Sequence, residues 1–198
     1  MTQPLQFVAP EEAARASLYG LVARLFYAAP DAQLISELVR APALEAEAAL
    51  AAPWRQMTQA CANVFPVALE NEHTELFVGT GKSEVTPYLS HYVVRHSSDS
   101  PLLALRQQLV AWGIGRKEEV PEYEDHISGV CETMRYAIAV QQRSAEEQKA
   151  FFERFLYRGG IAFCDAVSAS PKADFYQLVA RFTRAYFEVE RAAFEMVE

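Results

Sequence analysis

Residues 72–90 read Glu72-His-Thr-Glu-Leu-Phe-Val-Gly-Thr-Gly-Lys-Ser-Glu-Val-Thr-Pro-Tyr-Leu-Ser90. The segment leaves an apolar-periodic stretch and enters glycines, hydroxyls and a proline. A polar loop of this length inside a compact fold is functional or disordered. Its surroundings are helical, so the fold turns on what this interruption does.

Upstream, Ala14, Leu18, Leu21, Val22 and Leu25 recur at three- and four-residue steps behind Glu11 and Glu12, which predicts an amphipathic helix. Pro30-Asp31 ends it and caps a second helix over Ala32 to Arg40. The alanine- and glutamate-rich run Ala43 to Ala52 favours helix intrinsically. Pro53 is expected to open another helix through Met57, Cys61 and Val64, and Pro66 to restart it as far as Phe77. Downstream, Pro101 begins a helix through Leu109 to Trp112, stopped at Gly113. A second polar loop, Arg116 to Glu122, precedes a long helix marked by Ile127, Val130, Met134 and Ala137. Ser144 and Glu147 form a capping-box signature, Gly159-Gly160 signals a kink or close packing, and Phe175 to Met196 has helical spacing. No segment reads as a strand, and Tyr92-Val93-Val94 is too short to build a sheet. The expectation is an all-α helical bundle, one domain over residues 1–198, with two long functional loops.

The formal net charge of −8 argues against nucleic-acid binding and against an anionic membrane surface, and suits a basic peptide partner. No apolar run approaches spanning length, so direct membrane insertion is not expected. The N-terminus has neither the basic start nor the apolar core of a signal peptide. Cys61, Cys131 and Cys164 are dispersed, which excludes a disulfide framework and suits a reducing cytoplasm.

Catalytic signatures are absent. Gly79-Thr-Gly-Lys-Ser83 ends like a phosphate loop, but such a loop needs a preceding strand, an earlier glycine and a following helix. His91 and His96, five apart, do not share a helical face, and adding Asp125 and His126 gives no metal-ligand spacing. The acids of Glu122-Tyr-Glu-Asp-His126 suit a helix N-terminus, where carboxylates offset the dipole and cap free amides. That accounts for charge but not for the histidine or for Tyr123.

Taken together, Glu75-Leu-Phe-Val-Gly-Thr-Gly81, Pro87-Tyr-Leu-Ser90, Trp112-Gly-Ile114 and Glu122-Tyr-Glu-Asp-His126 resemble, in order and spacing, the TorD/DmsD family of cytoplasmic chaperones for molybdenum enzymes. Phe175-Tyr176 after Pro171 resembles the family's C-terminal Phe-Tyr, and the resemblance runs from Tyr19 to Leu178. Thr80 and Tyr123 stand where the family commonly has proline, which loosens both loops.

The resemblance implies a non-enzyme that binds the twin-arginine leader, or the apo form, of the catalytic subunit of a molybdopterin oxidoreductase of the dimethyl-sulfoxide reductase type. Such a chaperone assists cofactor insertion and delays export. The resemblance implies no cofactor of its own, with at most weak binding of molybdopterin or a guanine nucleotide. A leader carries a basic pair followed by an apolar stretch. Glu122, Glu124 and Asp125 are candidates for the basic pair. Leu76, Phe77, Tyr88, Tyr92 and Trp112 are candidates for an apolar groove. Gly79 and Gly81 would turn the first loop, Pro87 and Ser90 complete its motif, and His126 either bonds across to that loop or serves as a helix-start histidine. Two alternatives stay open: a nucleotide-binding or nucleotide-hydrolysing enzyme using Gly79 to Ser83, and a nitrate-reductase-type assembly chaperone with a client that is not exported.

Overall fold

The computed structural model describes residues 9–45, 48–79, 82–94, 96, 100–115 and 121–196. Among these the chain is helical, without a strand ladder. The elements are α1 (Pro10–Tyr27), α2 (Ala32–Val39), α3 (Ala51–Cys61), α4 (Pro66–His73), α5 (Ser90–Val93), α6 (Pro101–Ala111), α7 (Ile127–Ala139), α8 (Ala145–Phe151), α9 (Arg158–Ala169) and α10 (Phe175–Glu195). Two π-helical stretches, Thr74–Val78 and Phe152–Tyr157, extend α4 and join α8 to α9.

Local chemistry sets most boundaries. Pro10, Pro66 and Pro101 sit in the first turns of their helices, where a missing amide proton is not needed. The Asp31 side chain accepts from the Leu34 amide, and Ser144 and Glu147 complete the capping box of α8. The alanine-rich run behaves otherwise than its propensity predicts: residues 41–45 are not helical, Ala48–Leu50 form a turn, and α3 starts at Ala51. Ala43, Leu44 and Glu45 are exposed, so no packed face rewards a helix there, and propensity alone does not hold a short one. Tyr92 and Val93 lie in the short helix α5.

Packing is built around α1 and α10. α1 lies along α7, burying Tyr19, Val22 and Phe26 on one side and Val130, Met134 and Ile138 on the other. α10 packs on α9 and α3 through Phe175, Val179, Phe182 and Tyr186. Phe26, Phe77, Phe163 and Tyr176 meet at centroid distances of 4.9–6.0 Å, joining α1, the first π-helical stretch, α9 and α10. The two glycines serve close packing. A Cβ on Gly160 would lie 2.6 Å from the Phe187 ring, and one on Gly159 would lie 3.0 Å from Leu89, so both permit close approach.

Two carboxylates, Glu190 buried and Glu72 partly so, tie distant elements. Glu72 of α4 accepts from the backbone amides of Asp174, Phe175 and Tyr176 at 2.8, 3.2 and 2.8 Å, capping α10, which has no side-chain cap of its own. Glu190 of α10 accepts from Nε and Nη2 of Arg15 (2.9 and 2.8 Å) and from the Tyr19 hydroxyl (2.8 Å). Burial alone would lower the Arg15 pKa, but Glu190 and Glu12 raise it, and the guanidinium stays charged.

Candidate functional site

The two loops meet. Tyr88 and His126 form an isolated antiparallel bridge: the Leu89 amide donates to the Asp125 carbonyl and the Ile127 amide to the Pro87 carbonyl, each at 2.9 Å. The first loop reaches this position by folding back, with the Val85 amide donating to the Leu76 carbonyl at 2.9 Å. Gly79 makes the reversal. Its φ is +63°, a left-handed conformation that favours glycine, and a Cβ there would lie 2.3 Å from the Lys82 carbonyl oxygen. Gly159 then lets Leu89 settle on α9.

Side chains reinforce the junction. The Tyr88 hydroxyl donates to the Glu122 carboxylate, and burial followed by that hydrogen bond raises its pKa. The Asp125 carboxylate is buried and accepts from the Ser90 amide at 3.3 Å through Oδ2. Its Oδ1 and the Ser128 hydroxyl are buried without a hydrogen-bond partner among the described residues. The His126 ring is 5 % exposed, packs edge-on to Tyr88 and caps α7, its Nδ1 accepting from the Ser128 amide at 3.2 Å. Burial lowers its pKa to about 4 against the pull of Glu122 and Asp125, so the ring is neutral at pH 7 with its proton on Nε2. The main-chain link between the loops therefore runs through the backbone of Asp125 and Ile127, while the imidazole holds the helix start.

A hollow of about 730 Å³ opens at this junction, lined among others by Tyr27, Phe77, Lys82, Tyr88, Glu122 and His126. Pro87 and Tyr92 also line it; the Tyr92 hydroxyl donates to the Thr86 carbonyl, and burial pushes its pKa up to about 12. A second hollow of about 450 Å³ lies between α1, α6 and α7 and shares Tyr27, Glu122 and His126 with the first.

The candidate residues sort by this geometry. Tyr88, Tyr92, Pro87, Glu122 and His126 come together, and Ser90 and Asp125 hold the loops beneath them. Phe77 is buried but reaches the wall of the first hollow. Leu76 does not contribute to the surface: it is fully buried in the core. Trp112 lies elsewhere, stacked on Phe151 at 4.9 Å beneath the Arg143 guanidinium. Glu124 faces Arg106 in an ion pair at 3.0 Å. Gly81, like Thr80, lies outside the described residues. Sequence reasoning missed Tyr27 and His73. Tyr27 is half-exposed, one residue beyond buried Phe26 at the end of α1; an aromatic off the apolar stripe is the signal that marks it. His73 had no local signal, since only the α4 turn brings it beside Phe77 and Tyr176.

The family model described as nitrate reductase delta subunit matches residues 44–158, more than half of the chain and both loops of the junction. The chain belongs to this family, that of the TorD-type proteins. A member of it, the chaperone protein TorD of Shewanella loihica, is 26% identical over 213 residues, covering 96% of this chain and 97% of the relative. The fold is similar to a crystal structure from Archaeoglobus fulgidus assigned to redox enzyme maturation, with a TM-score of 0.59 and 19% identity over 94% of this chain and 99% of that one. Against this TorD-type background, the bridge between Tyr88 and His126 joins the two motif segments through which the sequence resembles the family.

Proposed function

We propose that the chain is a maturation chaperone for a molybdopterin oxidoreductase, and that the hollow at the loop junction receives the client's twin-arginine leader. One observation carries the reading: two polar loops more than thirty residues apart converge on one concave surface where Tyr88, Glu122 and His126 meet. Concave sites with a few placed polar groups are where ligands bind. The site makes and breaks no bond. His126 caps α7 through Nδ1 and Asp125 holds the Ser90 amide through Oδ2, which gives both residues structural tasks. Glu122 is the motif carboxylate that lines both hollows, and so the natural seat of a guanidinium. The chaperone meets its client in the cytoplasm, before export.

The test is titration calorimetry with a synthetic twin-arginine leader. Glu122→Gln is expected to weaken binding about tenfold at low salt and less at high salt, because a partly exposed charge pair is screened. Equal affinity in the two proteins removes Glu122 from recognition. Asp125 is unsuited to this test, since losing it removes the Ser90 contact and disturbs the loops themselves.

A second reading keeps the same surface but a client that stays in the cytoplasm; the matching family description, nitrate reductase delta subunit, favours it. Purifying the native client with the chaperone decides, because the two readings differ in whether that client carries a leader. The nucleotide-enzyme reading loses support. A π-helical stretch rather than a strand precedes Gly79, and Ser83 is followed by turns and Pro87 rather than by a helix whose amides could cradle phosphate.

A further inference from the structure

Phe175 and Tyr176 open α10, far along the chain from both loops, and both are buried outside the lining of the first hollow. Tyr176 nonetheless touches the pieces from which that hollow is made. Its ring meets His73 at 5.7 Å, Phe77 at 5.1 Å and Phe26 at 6.0 Å, and all of these line the hollow. Its hydroxyl donates to the Leu25 carbonyl at 3.0 Å. Its amide donates at 2.8 Å to Glu72, the residue directly before His73. Resting on the reading of the first hollow as the client site, we propose that Tyr176 is its positioning residue: from behind the wall it fixes His73, Phe77 and the end of α1 that carries Tyr27.

The last carbonyls of a helix have no amide partner inside it. At the end of α1 the Leu25 carbonyl accepts from the Tyr176 hydroxyl, and the Phe26 carbonyl has the His73 Nε2 at 3.5 Å. Burial raises the Tyr176 pKa, so the hydroxyl keeps the proton that it donates. Tyr27 follows Leu25 and Phe26 directly and lines the hollow, so a tether on those carbonyls sets where its ring stands. The opposite part of the wall is held in the same way. His73 ends α4, and Phe77 lies in the π-helical stretch that extends it. Their rings meet edge-on at 5.2 Å, and both rest on Tyr176. Aromatic pairs favour particular angles, and side chains that face a site keep their place only when packed neighbours hold them. A smaller residue at 176 would leave a void behind the wall, into which both rings could shift. The α10 start is itself fixed, because Glu72 accepts its first amides.

The experiment compares three variants of the full chain, each verified as folded by circular dichroism. Tyr176→Leu removes the ring, and Tyr176→Phe keeps it and removes only the Leu25 contact. Phe152→Leu is the control: it truncates a fully buried ring that packs on Phe187 and Phe194, away from the hollow lining. One readout is calorimetric affinity for a synthetic peptide with an arginine pair followed by leucines. The other needs no ligand: hydrogen exchange of the Val85 amide, which bonds to the Leu76 carbonyl beside Phe77. Tyr176→Leu is expected to weaken the peptide about tenfold and to speed Val85 exchange about tenfold, the scale on which lost support loosens a site. Tyr176→Phe is expected to fall between Tyr176→Leu and wild type. Phe152→Leu, though destabilised in urea, is expected to keep wild-type values of both. Wild-type affinity in Tyr176→Leu, or an equal loss in Phe152→Leu, overturns the assignment while the leader reading stands. If the peptide does not bind wild type, the leader reading fails, and the positioning role then stands or falls on whether Val85 exchange rises in Tyr176→Leu alone.

Discussion

Lowering the pH should destabilise this protein through His126 in a way that one substitution isolates. The ring is buried, and its proton affinity falls from the usual 6.5 to about 4. Between those values the unfolded chain holds a proton that the folded chain refuses. Unfolding therefore takes up a proton, and the folded state loses stability as pH drops from about 6.5 towards 4. At about 1.4 kcal/mol per tenfold in affinity, the full difference is about 3 kcal/mol, reached only below both values. Going from pH 7.5 to 5.0 realises about 2 kcal/mol of it. The cause is geometric as well as electrostatic: Nδ1 accepts the Ser128 amide hydrogen, and a protonated ring has no lone pair there to accept with.

His126→Asn is the informative partner. Asparagine is a good N-cap and keeps an acceptor for the Ser128 amide, but does not titrate. Urea unfolding of both proteins at the two pH values gives the double difference. Carboxylates and His73, whose pKa burial also lowers, titrate in both proteins and largely cancel. Wild type should lose about 2 kcal/mol more than His126→Asn between pH 7.5 and 5.0. Equal losses in the two proteins would refute the reasoning, showing that the imidazole is hydrated or protonated where it sits.

Three further outcomes follow from the packing. Glu72→Ala leaves three amides at the start of α10 without their acceptor and removes a favourable charge, so it should lower unfolding free energy by about 2 kcal/mol, measured in urea. Glu190→Ala removes two hydrogen bonds from Arg15, which keeps Glu12 and Gln148, and leaves the buried Tyr19 hydroxyl without its acceptor, so it should cost about 2–3 kcal/mol, whereas Arg15→Met with Glu190→Leu should recover part of it, because the pair is then replaced by apolar side chains. Gly160→Ala gains about 1 kcal/mol of helix propensity yet should come out destabilising by about 1–2 kcal/mol on thermal melting, since the new methyl group meets Phe187 at 2.6 Å.

Much of this was legible before any coordinates. Helix starts at Asp31, Pro66, Pro101 and Ser144 follow from proline and capping chemistry, which acts within four residues. The alanine-rich run misleads because propensity is a weak prior that exposure does not reinforce. The π-helical stretches were invisible, since an i to i−5 register leaves no compositional mark. The site was legible in part. Tyr88, Glu122 and His126 stand in motifs that could be read as a set. Which acid faces solvent could not be read, because the answer depends on what each neighbour packs against. Trp112 looked like a groove residue from its place in the motif order, but Phe151 and Arg143, some thirty to forty residues on, both pack on its ring.

The acidic motif divides its work by position along one short turn. Asp125 points inward and holds Ser90; Glu124 turns aside to Arg106; Glu122 faces the hollow with Tyr88. Meanwhile the bridge between the loops uses main-chain groups of Pro87, Leu89, Asp125 and Ile127. Those hydrogen bonds do not depend on what residues 122 and 123 are. Substitutions at residues 122 and 123 would therefore leave the main-chain bonds of the junction in place, although a change at Glu122 removes the Tyr88 hydrogen bond that reinforces it. The junction's backbone and the side chains it presents are thus separable: the first is set by main-chain hydrogen bonds, the second by which residues stand at 122 and 123.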